Sequence, residues 1–134
     1  MVTSSLLSLK QRRIVWGVRF LLALAFAAAG LAKLTSAPQM VQVFEAIGMG
    51  QWFRYLTGAV EIVGVVLLLV PSSGFIGGLL LTVTMIFAVG THLFLIGGNP
   101  GPAILLALLS GFVAWRLRPA SFLNSALKSS RNAT

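Results

Sequence analysis

Cysteine is absent from this 134-residue chain, histidine occurs once, and there are only two acidic residues. Without thiols the chain has no disulfides, no thiol nucleophile, no iron–sulfur ligation and no CxxC redox chemistry of its own. His92, Glu45 and Glu61 are its entire stock of histidine and acidic side chains. A zinc site needs three or four good ligands, so none is expected within one chain, and a bis-histidine haem is excluded within a monomer. No nucleophile–base pair, metal constellation or phosphate-binding glycine loop stands out, and catalysis by the chain alone is not expected.

Charge is scarce as well. Only 9% of residues are charged while 57% are hydrophobic, and a water-soluble domain of this size needs far more polar surface. The net charge of +8 sits at the ends of the apolar stretches: Lys10, Arg12 and Arg13 precede the first, and Arg116, Arg118, Lys128 and Arg131 lie at or after the last. That placement fits anionic lipid headgroups and membrane topology, and no basic groove or known module points to nucleic acid.

What is present is a series of long apolar runs. They predict an all-α polytopic membrane protein, a bundle of four transmembrane helices over about 14–33, 52–70, 74–96 and 102–118. At ~1.5 Å per residue the first gives ~30 Å, one hydrocarbon thickness. Its basic start and the Ala27–Gly30 run mimic a signal peptide, but Arg19 would interrupt the apolar core of one, so the span is read as retained. Residues 34–51 are too long for a plain loop. Pro38 suits a first helical turn, Met40, Val43, Phe44 and Ile47 form one stripe, and Gly48 supplies a stop. These predict a short amphipathic helix against the bundle mouth or on the membrane surface.

Pro71-Ser72-Ser73-Gly74 and Gly97-Gly98-Asn99-Pro100-Gly101-Pro102 read as turns, while 1–13 and 119–134 read as basic tails. In the latter, Phe122, Leu123, Ala126 and Leu127 are placed to touch the surface. An even number of spans with basic ends puts both termini in the cytoplasm. Small residues such as Ala103, Ala107, Gly111 and Ala114 are read as packing positions, and Thr82, Thr84 and Thr91 as bonding to their own helices.

Polar side chains inside these runs carry whatever function is legible, because a mid-bilayer charge costs roughly 2.5–3.5 kcal/mol on translocon scales and turns toward a bundle interior or cavity. Glu61 lies at the middle of the second span. Lys33 ends the first span on the outer side, and His92 sits near the outer end of the third. Arg19, Ala23, Phe26, Gly30 and Lys33 follow a 4, 3, 4, 3 spacing and share a face, as do Arg54, Gly58, Glu61 and Gly64. The expectation is a polar pocket between spans one to three, opening outward. Glu61, His92 and Lys33 would bind its ligand, and Arg19, Gly30, Arg54, Gly58, Gly64 and Met85 would support it by polarity or packing. Glu61 equally suits a structural hydrogen bond, and Arg19 and Lys33 can snorkel to the interface.

The runs Arg19-Phe20-Leu21-Leu22 and Ala29-Gly30-Leu31-Ala32-Lys33-Leu34 resemble the first helix of DoxX-like membrane proteins. Phe44–Gly48, Gly58-Ala59-Val60-Glu61-Ile62-Val63-Gly64 and Leu67–Pro71 are similar to that family's second block, and Met85, Ala88 and His92-Leu93 to its third. The resemblance spans about 14–117. It implies a four-helix integral protein, with a bacterial inner membrane as its natural home. The family is named for a subunit associated with a terminal quinol oxidase, and no agreed catalytic residues transfer with the likeness. It therefore implies an accessory subunit of a membrane-associated redox or stress-related complex, binding a quinone or lipid and carrying no intrinsic cofactor. Its partners would be the anionic bilayer, a membrane or redox protein, or a second copy of itself. The alternatives are a non-enzymatic scaffold or assembly factor and, third, a small proton-linked carrier.

Overall fold

The computed structural model describes residues 8–133, and every regular element among them is helical. Helix α1 runs Leu9–Leu34, α2 Pro38–Ile47, α3 Gln51–Leu69, α4 Gly74–Thr91, α5 Gly101–Leu117 and α6 Ala120–Asn132. A 3₁₀ turn, Pro71–Ser73, joins α3 to α4, and a π-helical turn, His92–Ile96, prolongs α4. Three stretches, Leu9–Leu34, Gln51–Leu69 and Pro71–Ile96, are long and apolar enough to cross a membrane, and Gly101–Leu117 is a shorter apolar helix.

Local chemistry sets several boundaries differently from the hydropathy pattern. Helix α1 begins inside the segment read as a polar tail. Ser8 Oγ accepts from Gln11 N at 3.2 Å, and Ser8 N donates back to Gln11 Oε1 at 3.0 Å. This capping box satisfies two orphan donors and lets Lys10–Arg13 join the helix. The expected tail at 119–134 is likewise helical from Ala120. Pro119 is extended and separates it from α5, and the residues that follow include good helix formers. The side chains of Phe122, Leu123 and Ala126, expected at the membrane surface, lie outside the described residues, as does the tail before Ser8; Leu127 is exposed.

The helices pack in a ring: α1 on α3, α3 on α4, α4 on α5, and α5 back on α1. Leu22, Phe26, Leu68, Leu81 and Val113 fill its centre, all fully buried. Phe20, Leu24, Val63, Val66, Ile86 and Leu108 point outward and exposed, as expected of a surface solvated by lipid. Glycines set the closest approach. A Cβ on Gly30 would stand 3.1 Å from the Gly58 carbonyl oxygen, and one on Gly58 3.1 Å from that of Gly30, so α1 and α3 cross backbone to backbone.

Thr82, Thr84 and Thr91 donate to the carbonyls of Gly78, Leu80 and Phe87 on their own helix. Thr82 Oγ1 also lies 3.1 Å from Ser110 Oγ on α5, a half-buried contact between helices in which Ser110 is fully buried. Both hydroxyls keep a carbonyl of their own helix. Ser110→Ala is therefore expected to cost only about 0.6 kcal/mol, the usual scale of such bonds in membrane bundles. Unfolding measured in micelles checks this, and a loss above about 2 kcal/mol would mean the contact organises the α4–α5 interface.

Candidate functional site

The polar residues on the α1 and α3 stripes separate into two groups at opposite ends of the fold. Arg19 and Lys33 share a face of α1, but at ~1.5 Å per residue they stand ~21 Å apart along its axis. Arg19 neither snorkels nor joins the pocket. It is 2% exposed, and its Nε and Nη2 donate to Leu68 O at 2.7 Å and Val70 O at 2.9 Å. Both carbonyls lie at the C-terminal end of α3, and Val70 O also accepts from Ser73 N at 3.2 Å, so the guanidinium supplies capping that no side chain of that helix provides. Trp16 stacks beneath it, 3.9 Å from ring centroid to Cζ. Gly64 also lies away from the pocket, where a Cβ would stand 2.5 Å from Leu81 Cδ2.

At the other end, Lys33 and Glu61 meet. Lys33 Nζ donates to Glu61 Oε1 at 3.0 Å and Oε2 at 3.1 Å, with Glu61 2% exposed. The Gly30–Gly58 crossing makes this possible, since a Cβ on Gly58 would come within 3.0 Å of Lys33 Cβ. With two backbones so close, the lysine stem need only lean across the contact to reach the next turn of α3. Arg54, 3% exposed, braces the pair from below. It donates to the Lys33 carbonyl oxygen and, through Nε, to Gln51 Oε1 at 2.7 Å. That ties the last turn of α1 to the first of α3.

The ion pair forms part of the wall of a cavity of about 460 Å³, within the ~300–1,000 Å³ of small-molecule sites. Helices α2, α3 and α4 line most of it. Met40, Val43, Phe44 and Ile47 of α2 all face it, so that stripe covers the cavity. Phe44 packs edge-on against Phe53 with centroids 5.8 Å apart. From α4 come Thr84, Met85 and Ala88, and from the π-helical turn that prolongs it His92. Sequence reasoning assigned Met85 and His92 to this site and left the α2 stripe either against the bundle mouth or on the membrane surface, but it did not assign Thr84. The 3–4 periodicity of that stripe was the available signal, though it could not say which surface the stripe would face.

Thr57 donates within its own helix to carbonyls of Phe53 or Arg54. His92 Nδ1 lies 2.9 Å from Gly97 O. A carbonyl oxygen only accepts, so Nδ1 is the donor in this contact. Leu56 and Phe87 both line the cavity and are exposed, Phe87 by 74%. The cavity therefore opens between α3 and α4, at the level of their apolar stretches.

Long apolar helices, lipid-facing flanks and a charged pair buried between two of the helices define a helical membrane protein. Residues 18–117 match the profile of the DoxX-like family, and the chain belongs to that family. No curated protein and no solved structure matches it.

Proposed function

We propose that this DoxX-like protein is an accessory subunit of a membrane-associated redox or stress-related complex, and that it holds a quinone or lipid in the cavity beneath α2. The observation that carries this reading is an apolar cavity, open between α3 and α4, with a buried Lys33–Glu61 pair in its wall. An intramembrane ion pair is costly to maintain and tends to mark a functional pathway. No group on the chain transfers electrons by itself, so redox chemistry would come from the bound quinone or a protein partner.

The reading includes a four-span bundle, with α5 as the fourth span and both termini on the cytoplasmic side of a bacterial inner membrane. Seventeen residues at ~1.5 Å each give α5 ~26 Å. Arg19 and Leu117 both approach Gly74, so the start of α1, the α3–α4 turn and the end of α5 share one end of the ring. The basic residues Lys10, Arg12, Arg13, Arg116 and Arg118 cluster by sequence at that end, as the positive-inside rule requires of a cytoplasmic face.

Native mass spectrometry of the protein released gently from its own membranes tests the reading. A bound species with the mass of a quinone or a single lipid is expected, with lower occupancy in Glu61→Gln because that substitution loosens Lys33. A stoichiometric protein partner without any bound small molecule would sink the ligand-holding role and leave a scaffold or assembly factor.

A further inference from the structure

Deepening the reading just given, we infer that the cavity takes a neutral amphiphile laterally from the bilayer, and that Lys33 rather than Glu61 meets its carbonyl head. The first support is charge. Lys33 and Glu61 cancel, and among the described residues the only other ionisable side chain in the wall is His92. An anionic phosphate head would find the Lys33 ammonium already paired with Glu61, and burying it unpaired would be costly.

The second support is the donor inventory. The hydroxyls of Thr57, Thr84 and Thr91 are engaged with carbonyls of their own helices. His92 Nδ1 is engaged with Gly97 O, and both Glu61 oxygens accept from Lys33. An ammonium has three N–H groups, and among the described residues that of Lys33 donates to Glu61 alone. The third N–H is a donor the wall offers, and a carbonyl oxygen is the neutral acceptor that suits it. The third support is access, since the opening between Leu56 and Phe87 lies among apolar, exposed side chains. An apolar body enters from lipid without crossing water.

A quinone and a neutral glycerol ester share this chemistry, and titration of the full-length protein in maltoside micelles separates them. The probes are a decyl-chain benzoquinone, a monoacylglycerol and phosphatidylglycerol. One of the two neutral probes is expected to bind at least about tenfold more tightly than phosphatidylglycerol. The double variant Lys33→Met/Glu61→Leu removes the donor without stranding a charge, and is expected to weaken that probe about ten- to hundredfold, the worth of one hydrogen bond to a charged group. Thr84→Phe fills the cavity without touching the pair and should weaken it comparably.

The carbonyl stretch of the bound probe, read in the wild-type protein, should fall below that of the same probe free in micelles. That reading decides the contact even if the double variant does not fold. An unshifted stretch, or full affinity in a folded double variant, overturns the Lys33 contact. Preference for phosphatidylglycerol overturns the neutral head, and unchanged binding by Thr84→Phe overturns the location. Binding of none of the three probes by the wild-type protein overturns the ligand-holding function itself.

Discussion

Lys33→Met is expected to lower stability by about 3–5 kcal/mol, the usual cost of removing one partner from a buried pair. Glu61 is almost fully buried, and among the described residues both of its oxygens accept from Lys33 and from nothing else. Without the ammonium its carboxylate is left uncompensated between α1 and α3. Glu61→Gln should be milder, because the long lysine stem at the end of α1 can carry its charge toward the interface. Lys33→Met/Glu61→Leu should regain most of the loss, since apolar replacements of a buried pair are often neutral. Unfolding of all three variants in the same micelle gives the comparison. A Lys33→Met protein as stable as wild type would show that the pair does not hold the α1–α3 crossing.

Gly77→Val is the second large effect, expected at about 3 kcal/mol or more, at or beyond the upper end of overpacking costs. A Cβ at Gly77 would stand 2.5 Å from Leu68 N and 2.8 Å from Leu67 C. Those are backbone atoms, so no side chain can swing aside and α4 must move away from α3. Arg19 holds the Leu68 carbonyl at the same place, which leaves α3 little room to yield. Gly90 provides the control on the same helix, because nothing lies within 4 Å of a Cβ there. Gly90→Ala should be neutral or stabilising by up to about 1 kcal/mol through helix propensity. Equal effects of the two substitutions on thermal unfolding would refute the close α3–α4 contact.

Much of the helical architecture was legible because its causes are local. A run of apolar residues long enough for a bilayer has one low-energy backbone, the helix, since lipid offers no partner for unpaired N–H and C=O groups. The threonines bonded to their own helices belong to the same class of inference, depending only on residues three or four positions away. Helix ends were less legible. The Ser8–Gln11 box carried α1 back to Leu9, although Lys10, Arg12 and Arg13 look like a tail when hydropathy alone is followed. In the candidate site, 3–4 spacing placed Arg19 and Lys33 on one face of α1, and Arg54 and Glu61 on one face of α3. It could not say which cation would meet the acid.

By itself the sequence determined an all-helical chain with long apolar helices, the family to which it belongs, and the stripe on which each polar residue lies. Those properties follow from composition, periodicity and motifs carried along the chain. Only the tertiary structure decided that Lys33 pairs with Glu61, that Arg19 instead caps α3 at the far end, and that the α2 stripe covers a cavity open between α3 and α4. The physical reason is that these outcomes depend on where two helices cross. Crossing points are chosen by close backbone contacts such as Gly30 against Gly58, between residues far apart in the chain, and no local period encodes them.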